Sequence, residues 1–116
     1  MIDLTNIKSV YLYTGNTDFR LGINSLTALI SSEFKGNLNT HTLFLFCNKR
    51  RTQVKVLEFD DVGIWLYVKK LHKGQFPYPD NKQGRYEITT KDLEIILSGL
   101  DFICQIQNEN KQYKYY

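Results

Sequence analysis

Residues 42–70 read T-L-F-L-F-C-N-K-R-R-T-Q-V-K-V-L-E-F-D-D-V-G-I-W-L-Y-V-K-K. Three apolar runs are separated here by two short polar segments. Thr42–Cys47 is continuously apolar, the pattern of a strand buried on both faces. Gln53–Phe59 alternates, with Val54 and Val56 on one face and Lys55 on the other. Ile64–Lys70 is a third strand. The connections Asn48–Thr52 and Asp60–Gly63 are too short for a crossover, so the three strands form an antiparallel meander.

Upstream, Ser9–Tyr13 reads as a strand that ends at the turn Thr14-Gly15-Asn16. A helix is expected from Asp18 to Phe34, because Phe19, Ile23, Leu26, Ile30 and Phe34 recur on one helical face. Asp18 is its expected N-cap and Gly36-Asn37 its stop. Downstream, Leu71–Gly84 carries Gly74, Pro77 and Pro79 and is expected to be irregular, since proline cannot donate to a sheet ladder. Arg85–Ile88 is a short strand. Thr89 caps a second helix with Asp92 three residues on. Leu93, Ile96, Leu97 and Leu100 form its apolar face, and Gly99 lies near its end. The predicted fold is α+β, a single domain with a small, mainly antiparallel sheet and two helices. The domain spans residues 1–108, and 109–116 form a frayed polar tail.

The 116-residue chain is 42% hydrophobic and 23% charged, ordinary globular usage. Its 14% aromatic content favours strands. No apolar run approaches the roughly 20 residues that span a bilayer, and Met1–Lys8 lacks the pattern of a signal peptide. A cytoplasmic protein with no membrane partner is expected. Cys47 and Cys104 both sit in apolar runs and read as buried, reduced thiols without zinc-ligand neighbours. Asp60 and Asp61 have turn chemistry. His41 and His72 are isolated and read as solvated. A metal-dependent nuclease built on Asp18, Glu58 or Asp60 is disfavoured, because no strand carries an acid followed two residues later by lysine. The expectation is therefore no catalytic residue, no metal, no cofactor and no small-molecule substrate.

Charge is unevenly spread. Lys49–Arg85 holds nine basic residues against four acidic ones, a balance of +5, while the rest of the chain sums to −2. An anionic partner met through the middle third follows from that asymmetry. Lys49, Arg50 and Arg51 lie at a predicted hairpin tip. Lys69, Lys70 and Lys73 run off the third strand, whose end returns towards that tip if it pairs antiparallel. With Lys55 they form a candidate DNA-binding edge supplying sequence-independent affinity. Phe76 and Tyr78, bracketed by Gly74, Pro77 and Pro79, are candidates to stack on bases or wedge a duplex. The competing reading is a solvated charged edge with aromatics covering the core.

T-G-N-T-D-F-R-L-G-I-N-S-L at 14–26 resembles the opening signature of the accessory protein of insertion-sequence-66-type elements, often labelled the second open reading frame, or TnpB. The resemblance continues through F-C-N-K-R-R-T-Q-V-K-V-L-E-F-D-D-V-G at 46–63 and W-L-Y-V-K-K-L-H-K-G-Q-F-P-Y-P at 65–79. It ends with I-T-T-K-D-L-E-I-I-L-S-G-L-D at 88–101. Phe19 stands where the family pattern has Met, His72 where an acid is common, Gln75 where Arg is common and Tyr78 where Trp is usual. The matching motif positions include Thr17, Asp18, Arg20, Gly22, Asp60, Gly74 and Pro79. The resemblance implies a non-catalytic factor that assists a separate DDE-type transposase, with DNA at the element ends and the transposase as partners. An adaptor that docks on the transposase without touching DNA is the alternative. Arg20, expected in the first turn of a helix where a cation opposes the dipole, needs a partner: Asp18, Asp60 or an external phosphate.

Overall fold

The computed structural model describes residues 3–14, 17–34, 40–79, 84–99 and 114–115. A single 3-10 turn at Leu4–Asn6 leads into β1 (Ser9–Tyr13), followed by α1 (Ile23–Glu33), β2 (Thr42–Cys47), β3 (Gln53–Phe59) and β4 (Ile64–Lys70). β5 (Arg85–Ile88), α2 (Thr90–Ser98) and the two-residue β6 (Lys114–Tyr115) complete the chain. One sheet runs in the order β4-β3-β2-β1-β5-β6. β2, β3 and β4 form the expected antiparallel meander. β1 and β2 are parallel, joined through α1, and β5 returns antiparallel to β1. The α+β fold with a mainly antiparallel sheet and two helices is thus the one that the periodicities predict.

Alternation along the strands divides the core between the two faces of the sheet. Leu26, Ile30 and Phe34 of α1 pack with Phe44, Phe46, Leu57 and Phe59 on one face. Leu93 and Ile96 of α2 pack on the other, with Val10, Leu12, Leu43, Leu45, Val54 and Val56. Every residue of β2 is buried, as its continuous apolar run requires. Burying side chains such as Phe44 and Leu45 contributes about 1.5–3 kcal/mol each. α2 starts with the predicted capping box: Thr89 accepts from the Asp92 amide, and Asp92 accepts from the Thr89 amide. It ends at Gly99, whose φ of 69° is left-handed and where a Cβ would stand 2.8 Å from Leu71 Cδ2.

The first helix begins later than the apolar spacing predicts. Asp18 does not cap it. Its carboxylate accepts from the Arg20 amide at 2.9 Å, and the Leu21 amide donates to the Asp18 carbonyl at 3.0 Å. These bonds close a separate turn, and Gly22 with extended backbone then becomes the N-cap. A short polar side chain able to hold its own downstream amides competes with helix, and here it wins. His41 also departs from expectation: it is half-buried, with Nε2 3.6 Å from Asp61 Oδ1. Cys47 is a free, buried thiol that burial pushes up to about 12. Gly15, Gly36-Asn37, Cys104 and most of the tail lie outside the described residues. Lys114–Tyr115 of that tail pair with β5.

Candidate nucleic-acid interface

Strand register decides which loops meet. Gln53 pairs with Lys70, and the Leu71 amide donates to the Thr52 carbonyl at 2.9 Å. The β2–β3 turn and the end of β4 therefore share one end of the sheet. Because β1 runs parallel to β2, with Tyr13 beside Phe46, the β1–α1 connection leaves from that same end. The two basic runs and the Thr17–Gly22 loop are brought together although they are far apart in the chain.

The basic turn is held from within. Asn48 Oδ1 accepts from the Thr52 and Gln53 amides at 2.9 and 3.1 Å, and its Nδ2 donates to Thr52 Oγ1 at 3.0 Å. Arg51 occupies the left-handed region at φ 61° within the five-residue connection Asn48–Thr52, a conformation that residues other than glycine adopt mainly in turns. Its carbonyl accepts from the Phe76 amide at 2.7 Å, and its guanidinium donates to the Tyr78 carbonyl. Gln75 Nε2 donates to the Arg50 carbonyl at 2.9 Å. Gly74, at φ 81°, allows the segment after β4 to fold back against the turn. These contacts stitch 75–78 to 50–51 and leave the Lys49 and Arg50 side chains outward.

The eight candidate DNA contacts separate sharply once placed. Lys49, Arg50, Lys70 and Lys73 are exposed at the shared end. Lys69 is exposed but donates to the Leu97 carbonyl at the C-terminal end of α2, where a cation complements the helix dipole. Arg51 is half-buried and bound to the Tyr78 carbonyl. Lys55 is only 8% exposed, and its ammonium donates to the Phe19 and Leu21 carbonyls at 2.7 and 2.8 Å, above the Phe19 ring. Phe76 is 2% exposed, inside the core on the α2 face. Tyr78 is buried as well, its hydroxyl donating between the Tyr13 and Leu45 carbonyls at 2.7 and 3.0 Å. The expected surface roles of Lys55, Phe76 and Tyr78 are therefore corrected to structural ones. An aromatic between prolines covers the sheet, and a strand lysine donates to two loop carbonyls.

Lys55 also explains how the Thr17–Gly22 loop is placed. Its ammonium pins the backbone on either side of Arg20 to the sheet. Arg20 then turns outward: Nε lies 3.1 and 3.2 Å from the Asp18 oxygens and Nη2 2.8 Å from Oδ2, with the side chain 91% exposed. The Arg20 guanidinium, and then its amide, hold the Asp18 carboxyl down to about 2. The internal partner foreseen for Arg20 is Asp18. Thr17 is half-buried, Gly22 and Gly74 are exposed and Pro79 is half-buried.

The sequence from residue 8 to residue 107 matches the family described as IS66 Orf2 like protein. The chain belongs to that family. Two proteins of Sinorhizobium fredii are similar over 93 residues. The uncharacterized protein y4hO is 33% identical, covering 80% of this chain and 81% of its own, and the uncharacterized protein y4jC is 29% identical, covering 80% of each. No solved structure matches. The IS66 Orf2 like family is an accessory, non-catalytic one associated with insertion-sequence transposition.

Within this family's frame, the motif positions Thr17, Asp18, Arg20, Gly22, Gly74 and Pro79 lie in the loops that meet at the basic end. Asp60 sits at the opposite end of β3. Its carboxylate accepts from the Val62 and Gly63 amides at 2.9 and 2.7 Å and from Trp65 Nε1 at 2.9 Å, the turn chemistry its sequence predicts. Among the described residues, no group of three or more His, Cys, Asp or Glu side chains is placed to hold a metal ion. No helix among them is long and apolar enough to cross a membrane.

Proposed function

We propose that the chain is a transposition accessory factor that binds DNA through this end of the sheet and works beside the element's separate transposase. The observation that carries the reading is the meeting of Lys49 and Arg50 with Lys70 and Lys73, brought about by the Gln53–Lys70 register. Lys49 and Arg50 stand on a turn fixed by internal hydrogen bonds and Lys70 at the paired end of β4, so little ordering entropy opposes their engagement of phosphates. Arg20 adds an outward guanidinium at the same end, with its charge offset by Asp18. The contacts are made to the phosphate backbone, since the aromatic side chains that could read or unstack bases are buried.

The test is duplex binding across a salt series, using an element-end sequence and a scrambled control. With about four phosphates engaged, the logarithm of affinity falls with the logarithm of salt at a slope of roughly −3 to −4. The informative variant is Lys49→Ala with Arg50→Ala. Arg51 is retained because it holds the fold. Absence of binding at low salt would sink the reading and leave a transposase adaptor without DNA contact. The half-exposed Trp65 and Val68 on β4 favour that alternative.

A further inference from the structure

We propose that β4 is a self-pairing edge, through which two copies of the chain join their sheets antiparallel about a two-fold axis. β4 ends the strand order, so among the described residues its outer side has no neighbouring strand. Such an edge offers a row of backbone donors and acceptors to any strand that can match it. Which residues offer them is set by the inner pairing. The Asp60 amide donates to the Gly63 carbonyl and the Leu71 amide to the Thr52 carbonyl. Gly63, Trp65, Tyr67, Lys69 and Leu71 therefore turn their backbone groups towards β3. By alternation, Ile64, Leu66, Val68 and Lys70 turn theirs outward.

An antiparallel copy must match outward residues to outward residues. Full overlap of the seven-residue strand does so, placing Leu66 opposite Val68 of the second copy, Ile64 opposite Lys70, and Tyr67 on the axis. The side chains agree with that register. Leu66 and Val68 would meet on the α1 face, and Val68 is 55% exposed in the single chain. Trp65, 56% exposed, would lie across from Lys69 of the second copy on the α2 face, against the apolar stem of that side chain.

Charge selects a second copy over an unrelated strand. One end of β4 is followed by Lys73 and the other is preceded by Asp60 and Asp61. Antiparallel pairing brings the acidic turn of each copy towards Lys70 and Lys73 of the other, whereas a parallel pair would set like charges together. The Lys49–Arg50 turn belongs to the β2–β3 hairpin, set back from this edge, so dimerisation leaves it free, and Lys70 and Lys73 are the cations that DNA and the second copy's acidic turn would share.

The test uses the full chain without DNA. Light scattering coupled to size exclusion, across a dilution series, should give twice the 13.7 kDa chain mass at high concentration, dissociating on dilution. Val68→Pro removes an outward N–H that β3 does not use, a position where an edge strand tolerates proline. Should that variant fail to fold, Val68→Lys blocks the edge with a charge while keeping the strand. Either substitution should give a monomer. Hydrogen exchange adds a geometric readout: the Leu66, Val68 and Lys70 amides should lose protection in the monomer, while those of Trp65 and Tyr67 keep theirs. A wild-type chain that is monomeric throughout, a dimer that survives Val68→Lys, or equal loss of protection at all five amides would overturn the proposal.

Discussion

The two turns at the ends of β3 are built by one device and carry opposite charge. In the β2–β3 turn, Asn48 Oδ1 takes the Thr52 and Gln53 amides. In the β3–β4 turn, Asp60 Oδ1 takes the Val62 and Gly63 amides. They stand about 20 Å apart at roughly 3.4 Å per strand residue. At the first turn a neutral amide does the holding, and the neighbouring charges, Lys49 and Arg50, face solvent. At the second the charge itself does the holding, and Asp60 is occupied by two amides and the Trp65 indole. Charge used inside a turn stabilises the fold, whereas charge carried on a turn held by neutral groups is available to a partner. A count of charged residues along the chain cannot tell these apart.

The sharpest way to test that distinction is to remove cations of each kind. Lys55→Ala should have the largest effect. It leaves the Phe19 and Leu21 carbonyls without their donor in a water-poor setting, at about 1–3 kcal/mol for each orphaned group. Thermal unfolding should shift down by on the order of 10 °C for a domain of this size. Arg50 and Arg51 provide the next comparison. Arg51→Ala removes the donor to the Tyr78 carbonyl and keeps a side chain at positive φ, so it should destabilise by about 1–3 kcal/mol. Arg50→Ala should leave the melting temperature unchanged within measurement. If the two arginines proved equivalent in stability, the division between structural and free cations at this turn would fail.

DNA binding measures the complementary quantity. The Lys49→Ala, Arg50→Ala double variant should keep its melting temperature and reduce the magnitude of the salt slope by about 2, one for each phosphate that is no longer neutralised. Reversing charge at the other end, with Asp61→Lys, should change binding little at concentrations where the chain is monomeric, because within one chain that residue stands a strand's length away from the basic turn. An equal gain from Asp61→Lys would mean that affinity follows net charge and not the placement of cations.

Much of this arrangement is legible in the residues, for reasons that differ by element. β1 to β5 fall on their predicted bounds, because each is a compact apolar or alternating run between turn residues. The capping box of α2 is a local hydrogen-bond pattern and is readable for the same cause. The start of α1 is not. Phe19 lies four residues before Ile23 and is packed beside the α1 core, as a helical residue would be, but it reaches there through the Asp18 turn. The site is legible at the level of its ends. Pairing two short-looped strands returns Lys70 to the β2–β3 turn, and that step needs only the meander. Exposure is not legible. Lys55 alternates like an outward residue, but the face it joins is covered by α1 and by the loop it pins. Phe76 and Tyr78 look like loop aromatics until the sheet beneath them is known. Arg51 is distinguished from Arg50 only by the turn geometry.

The smallest effect, and the most direct comparison of the two turns, is in their response to acid. Hydrogen bonds from the Val62 and Gly63 amides, with the Trp65 indole, hold the Asp60 carboxyl below its ordinary value of 3.8. A carboxyl depressed by folding adds stability that is present above the unfolded value and is lost as pH falls through the folded one. The β3–β4 turn should therefore loosen only below that ordinary carboxylate value. The β2–β3 turn, held by Asn48, has no such transition. Trp65 is the chain's one tryptophan and reports on the first of these events directly. Its emission should titrate in that acid range while far-UV dichroism remains native. Asp60→Asn makes the acidic turn a chemical counterpart of the basic one and should flatten the titration. A titration that persists in Asp60→Asn would show that the charge of Asp60 is not what fastens its turn.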